Sequence, residues 1–367
     1  MPKRLQSLSI RGFRAIDALE IPKLSDINLF VGKNSTGKTT ILEAIRLLQA
    51  DDLRSRLYRV LADREEYNLG RRHVTTSTGM PITEVALNAL FTGRPELSEY
   101  CDFTVDGGQN GPSLRVQFVW LRVERGDDAS VRYLPSSSPD IDDSLPGLKI
   151  DRGDGVHALL PLDRFHRTMN RRILRDESEG NIVYLPSSGM SMEDVGRMWD
   201  SVALTDDEDG VVEALRIIAP TLEKLVMVQS PETRSDRLLM AKVSQFSGPV
   251  PFKSLGEGAS HLLSVALALI RARDGALLID EIATGIHYSV QSALWTMISQ
   301  QSAKGRVQVF ATTHSLDCVR ALRTVDQSNT NAEATLFRIE SSNRGLRAVT
   351  FSADELSVID DEEIEVR

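Results

Sequence analysis

Three segments of this chain predict an α/β architecture with a parallel sheet at its centre. The first is a strand, a glycine-rich loop and a helix in direct succession. Ile27-Asn28-Leu29-Phe30-Val31 leads into Gly32-Lys33-Asn34-Ser35-Thr36-Gly37-Lys38-Thr39, and Ile41, Leu42, Ile45 and Leu48 follow at helical spacing. The second is Gly275-Ala276-Leu277-Leu278-Ile279-Asp280-Glu281, and the third is Val307-Gln308-Val309-Phe310-Ala311-Thr312-Thr313-His314. Continuous apolar runs of this kind suit parallel strands buried on both faces.

The first segment carries the pattern G-x-x-x-x-G-K-[ST], the cradle of a nucleoside triphosphate. Its glycines let backbone N–H groups curl around phosphates, and the helix N-terminus adds partial positive charge. Lys38 can reach the β- and γ-phosphates, and the Thr39 hydroxyl can ligate Mg²⁺. The second segment ends in two carboxylates at the carboxyl end of its strand, where open α/β sheets bind ligands. Asp280 is placed to hold the Mg²⁺ shell and Glu281 to act as general base on the attacking water. His314 closes the third strand and can approach the γ-phosphate.

Elsewhere the reading is by organisation. At 367 residues, two to three lobes are expected. Residues 5–10, 16–21 and 27–31 read as short strands, and residues 83–91, 114–124 and 131–134 as a second β-rich stretch. Residues 135–146 read as a polar loop and residues 182–185 as a short strand. A helix-favouring region then runs to about Leu225, and residues 334–339 and 346–351 read as two last strands. Twelve of the fourteen prolines fall between Pro81 and Pro251, which rules out a long coiled-coil arm there. The expected divisions are a core part with a β-rich insert at 1–186, a helical lobe at 187–252, and a second core part with an acidic tail at 253–367.

Composition excludes several classes. Cys101 and Cys318 are the only cysteines, so there is no disulfide framework or cysteine-rich metal site. The start, Met1-Pro2-Lys3-Arg4, is not an apolar signal core, and the apolar stretch at 262–270 is too short to span a bilayer. The expectation is a cytoplasmic protein with no membrane partner. The net charge of −9 argues against a surface coated in basic residues. Residues 163–175 nevertheless hold five arginines against one acid, and Arg54, Arg56, Arg59, Arg64, Arg71 and Arg72 cluster earlier. Acid gathers at Asp206-Asp207-Glu208-Asp209 and in residues 354–365.

One more segment bears on phosphate. Ser254-Leu255-Gly256-Glu257-Gly258 precedes an apolar helix with Leu262, Leu263, Val265, Ala266 and Leu269. Glycines immediately before a helix again offer backbone amides to an anion. One nucleotide does not need two such sites in one chain. The expected solution is a dimer in which this helix start caps the γ-phosphate held by the other copy.

In these motifs the chain resembles the ABC-type ATPases of the RecF, SMC and OLD group. GKNSTGKTT (ending at Thr40), SLGEG, LLIDE and ATTHS occur in that group's order. The opening LQSLSIRGFRAIDALEIPKLSDINLFVGKN is also similar to how these proteins begin. The resemblance implies a P-loop NTPase fold, the head of an ABC ATPase, with a mixed β-sheet core, N-terminal antiparallel strands and a helical lobe. It implies Lys38 and Thr39 as Walker A ligands, Asp280 and Glu281 as Walker B, His314 as the switch histidine, and Gly256 with Gly258 as the signature acting in trans. Arg14 matches a basic residue that contacts nucleotide in some relatives.

The chain also departs from the group. The usual signature serine falls at Gly256, with Ser254 two residues upstream. Ser187 and Ser188 stand where a glutamine-loop residue is usual. Ala283-Thr284 replaces an acidic Glu-Asn pair, although Gly285-Ile286-His287 fits.

The interval from Gly32 to Gly256 is longer than a transporter subunit shows, and no N-K-x-D sequence marks a GTPase. Only residues 315–367 follow His314, so a Toprim nuclease domain is not expected. The resemblance then implies a stand-alone Mg-ATPase, dimeric or a higher even oligomer, controlling a DNA-related or anti-phage defence complex. A separately encoded, nuclease-like effector would be its partner. The alternative is an ATP-switched DNA-binding clamp of the repair type, motivated by the arginines at 164–175.

Overall fold

The computed structural model describes residues 4–67, 74–75, 81–82, 85–97, 100–125, 131–136, 144–153, 155, 157–162, 181–230, 237–327, 332–342 and 345–351. The arginine run at 164–175, Arg71, Arg72 and the acidic stretch at 354–365 lie outside the described residues.

Strands β1 (Leu8–Phe13) and β2 (Ile16–Ile21) form an antiparallel hairpin whose tight loop holds Arg14 at φ 54. Strand β3 (Ile27–Val31) is buried along its whole length and feeds the glycine loop into helix α1 (Lys38–Leu48). Helix α2 (Leu53–Ala62) starts where the Asp52 carboxylate accepts from the Arg54 and Ser55 N–H groups, a standard N-cap. A two-rung ribbon, β4 (Val74–Thr75) with β5 (Pro81–Ile82), follows. Next come β6 (Asp102–Asp106), β7 (Ser113–Arg125), β8 (Val131–Ser136), β9 (Ser144–Asp151) and β10 (His157–Pro161). These strands extend the first hairpin into one antiparallel sheet of order β10-β9-β7-β6-β1-β2, with β8 on the far half of β7.

Strand β11 (Ile182–Leu185) returns the chain to the centre. Helix α3 (Met192–Val202) is capped by Ser191 and α4 (Asp206–Leu215) by Thr205. The four acids of the first turn of α4 favour the positive end of its dipole. A small antiparallel sheet of β12 (Leu222–Gln229), β13 (Arg237–Val243) and β14 (Val250–Pro251) precedes α5 (Glu257–Arg271). The chain ends its core with β15 (Ala276–Ile279), α6 (Tyr288–Gly305), β16 (Gln308–Thr312), α7 (Leu316–Ala321), α8 (Thr324–Gln327), β17 (Ala334–Ser342) and β18 (Gly345–Phe351).

The central sheet runs β11-β15-β16-β3-β17-β18, with five parallel strands and β18 antiparallel at the edge. Alternate residues of each strand feed two cores. Ile27, Leu29, Val31, Leu277, Ile279, Val309 and Ala311 pack with helices α3 to α7. Phe30, Ala276, Leu278, Phe310 and Phe337 pack with α1, α2 and the antiparallel sheet. Each fully buried Leu, Val or Phe contributes about 1.5–3 kcal/mol, so both faces hold the sheet. The loops at its carboxyl edge can therefore carry chemistry.

Three expectations change. The described part of residues 83–91 forms a 3₁₀ turn, Leu87–Leu90, between isolated bridges at Val85 and Phe91. Leu87 and Leu90 must be buried on one side, and a three-residue repeat does this where a strand would turn one of them out. The stretch from 187 holds two helices, but the chain switches to strand at Leu222, directly after the helix-breaking Pro220. The 187–252 lobe is thus helix plus sheet. The polar loop at 135–146 is trimmed from both ends, because Pro135 and Pro146 pair with Leu121 and Trp120 of β7.

Candidate nucleotide-binding site

The loop between β3 and α1 owes its shape to left-handed backbone at Gly32 (φ 144), Ser35 (φ 64) and Gly37 (φ 86). Only glycine fits at 32, where an added Cβ would stand 2.5 Å from the Ile339 carbonyl oxygen. Lys33, Asn34 and Ser35 are exposed at the tip, while Thr36 is buried and bonds back to the Lys33 carbonyl at 2.9 Å. Lys38 is buried across the loop, its Nζ donating to the Gly32 and Lys33 carbonyls at 2.9 and 3.0 Å. Burial lowers its pKa, and the charges of Glu281 and Asp280 oppose that shift, which marks how near both carboxylates stand. Thr40 is buried, and its hydroxyl accepts weakly from Arg64 at 3.4 Å.

The acids at the end of β15 meet the loop directly. Thr39 Oγ1 lies 3.1 Å from both carboxylate oxygens of Asp280. Thr312, at the end of β16, donates to Asp280 Oδ1 at 2.7 Å and accepts from the Glu281 N–H at 2.8 Å. Glu281 itself sits at φ 56, a conformation that non-glycine residues adopt at a cost of order 1–3 kcal/mol. The Thr312 bond helps to hold it there. Glu281 Oε1 lies 3.2 Å from His314 Nε2, and both side chains remain partly open to solvent. Thus Lys38, Thr39, Asp280, Glu281 and His314, drawn from three segments, converge at the carboxyl edge of β3, β15 and β16. Thr312 was not singled out from the sequence, although it lies inside the Ala311-Thr312-Thr313-His314 motif that was.

The Ser254 to Gly258 segment is elsewhere. Ser254 is exposed in a 3₁₀ turn, Phe252–Leu255, ahead of α5. Gly256 caps α5 at φ 99 and ψ 168, a conformation open essentially to glycine alone, with no atom within 4 Å of where its Cβ would be. This accounts for glycine where the group's serine is usual. The opposite holds at Gly258, whose Cβ would stand 2.9 Å from the Gly285 carbonyl oxygen. Gly256, Glu257, Ser260, His261, Ser187 and Ser188 line one cleft of about 520 Å³. No phosphate-loop residue is among its lining residues.

Arg14, which the resemblance implies at the nucleotide, is placed inside the fold. It is turned inward from the hairpin and is only 7% exposed. Its Nε stands 3.0 Å from Glu43, its NH1 bonds Glu66 at 2.7 Å, and its NH2 bonds the Val60 carbonyl at 3.0 Å. The guanidinium is thus engaged by two carboxylates and a carbonyl within the fold. Its work is to tie the hairpin to α1 and α2. Arg64 pairs with the other Glu43 oxygen at 2.6 Å, and Arg46 pairs with Asp63 while lying over the Tyr184 ring.

Residues 119–318, more than half of the chain, match the family described as "AAA domain, putative AbiEii toxin, Type IV TA system". The chain belongs to this family. Residues 4–90 match a second description, "AAA ATPase domain", and include the whole phosphate loop. An ATP/GTP phosphatase of Helicobacter pylori is 21% identical over 375 residues, 96% of each chain. The DNA replication and repair protein RecF of Lactobacillus acidophilus is 30% identical over 84 residues, 23% of this chain and 21% of that one. Among solved structures, an SMC head bound to the C-winged helix domain of ScpA overlaps 95% of this chain and 98% of its own at 14% identity and TM-score 0.49. The SMC head domain of Thermotoga maritima overlaps 95% of this chain and all of its own, at 13% identity and TM-score 0.44. The family matches and the phosphate loop make this chain an AAA-type ATPase. No helix among the described residues is long and apolar enough to cross a membrane.

Proposed function

We propose that this ATPase works as a dimer that hydrolyses ATP at composite sites and uses closure to control a separate effector. One observation carries the reading. Lys38, Thr39, Asp280, Glu281 and His314 converge within one chain, whereas the amide turn at Gly256 faces a cleft apart from them. A second copy brings that turn to the γ-phosphate.

ATP would lie along residues 32–39, its phosphates accepting from the loop N–H groups and from Lys38 Nζ. Thr39 and Asp280 form a pair of hard oxygen donors that fits Mg²⁺, which takes one or two protein oxygens and completes its shell with phosphate and water. No larger cluster of His, Cys, Asp or Glu able to hold a metal exists among the described residues. When bound, Mg²⁺ would neutralise charge on the phosphate oxygens. Glu281 takes the proton of the attacking water, with His314 beside it to orient the carboxylate and meet the γ-phosphate.

The controlled complex is read as DNA-related or anti-phage, cytoplasmic, with a nuclease-like effector on a separate chain. The toxin–antitoxin system named in the family description and the RecF relative support that reading.

The test is Glu281→Gln. Turnover should fall about 10²- to 10⁴-fold, while ATP still binds and converts monomers to dimers in light scattering. Unchanged turnover removes Glu281 from its role, and a monomer at saturating ATP removes the dimer.

A further inference from the structure

One turn into α5, His261 lines the same cleft as Gly256 and Glu257 and is itself 93% buried, being 7% exposed. Its Nε2 lies 3.1 Å from the Ile282 carbonyl oxygen. A carbonyl only accepts, so Nε2 carries the hydrogen, and burial, which lowers the ring's pKa, keeps the imidazole neutral.

Ile282 directly follows Glu281. Its N–H donates to the Thr312 carbonyl at 2.9 Å, next to the Thr312 hydroxyl that holds Glu281 N–H and Asp280. The backbone just beyond the catalytic carboxylate is therefore clamped by β16 on one side and α5 on the other. The close approach of Gly258 to the Gly285 carbonyl joins the same two segments a turn earlier. Glu281 needs such a clamp, since its left-handed φ persists only where its surroundings enforce it.

We infer that His261 is a positioning residue that couples the start of α5 to Glu281, so that engagement of the Gly256 turn sets the orientation of the carboxylate. This rests on the dimer reading above. A bond from Nε2–H to Ile282 O is short and directional, and a displacement of α5 reaches Glu281 through one peptide unit.

The experiment compares His261→Ala with His261→Gln, whose side-chain amide reaches the position of Nε2 and can donate in its place. Thermal unfolding and ATP affinity are measured first, so that turnover is compared between folded, nucleotide-binding proteins. The alanine variant should show kcat about tenfold lower with KM within about twofold of wild type, and the glutamine variant should regain most of kcat. Turnover per subunit should rise with protein concentration in wild type. It should stay flat in His261→Ala, even though His261→Ala combined with Glu281→Gln still dimerises in ATP. Wild-type kcat in folded His261→Ala overturns the coupling, as does a folded His261→Gln no better than alanine. If wild-type turnover does not depend on protein concentration, it is the dimer reading that fails. The contrast between alanine and glutamine in kcat still decides the role of His261.

Discussion

The phosphate loop and the Gly256 turn are both glycine-rich entries into helices, yet they are held in opposite ways. Behind the loop, α1 is anchored by a partly buried network: Arg14 and Arg64 on Glu43, Arg46 on Asp63, Arg14 also on Glu66. The loop itself is crossed by Lys38 and tied to β15 through Thr39 and Asp280. The Gly256 turn has no side-chain cap and open space on its outer side. It is attached beneath, at Gly285 and, one turn on, at Ile282, and the buried Phe252 anchors the chain ahead of it. The difference teaches that the phosphate loop is braced by the fold itself. The Gly256 turn is open on the side where a Cβ would point and is held from below, beside the segment that carries Glu281 and Ile282.

Glu43→Ala breaks the comparison hardest. It takes from the buried Arg14 guanidinium one of its two carboxylates, leaving Glu66, and should cost about 3 kcal/mol of stability, the low end for breaking a buried pair, read as a lower denaturation midpoint at unchanged cooperativity. A midpoint within error of wild type would mean that the network does not anchor α1.

Gly256→Ala should do the reverse. The new Cβ meets nothing, and the strained φ costs about 1–3 kcal/mol locally. The expected result is modest destabilisation with a marked loss of turnover and no change in ATP affinity. Loss of ATP affinity would place the turn in the same half-site as the loop.

The smallest effect is a pH dependence at the joint between the two regions. The ordinary value for histidine is 6.5, and burial holds His261 below it. The unfolded chain therefore takes up this proton first on acidification. The ring's contribution to stability is complete above 6.5 and is lost as pH falls through the lower folded value. Wild type should lose more stability than His261→Gln between about pH 7 and 5, measured as the difference in Tm. Parallel curves would mean that His261 is not buried neutral.

Much of the central sheet was legible because its strands must be apolar on both faces, a pattern that stands out in a chain of ordinary composition. Ile27 to Val31, Leu277 to Ile279 and Val309 to Ala311 carry it, and each leads into a residue of the candidate site. The antiparallel strands β6, β9 and β10 were missed, because one-sided burial leaves them with mixed residues that read as loop. The sheet β12–β14 was missed because the decision between helix and strand at Leu222 is made by packing, where Leu225 and Leu239 face the α3–α5 core. The partners of Arg14 were illegible for a related reason. A basic residue beside a predicted phosphate loop suggests nucleotide, and only tertiary contact showed two buried carboxylates waiting for it.

By itself the sequence determined the fuel and the fold class. A loop that needs glycine at left-handed φ, a lysine and a threonine leaves a local pattern, and so does a strand ending in two acids. Only the tertiary structure decided what brings those pieces into one site and what ties them to α5. Thr312 beneath Asp280 and Glu281, Glu43 between two arginines, and His261 under Ile282 act through contacts between segments far apart in the chain. Such contacts leave no periodic or compositional trace, because their partners are chosen by folding rather than by neighbours in sequence.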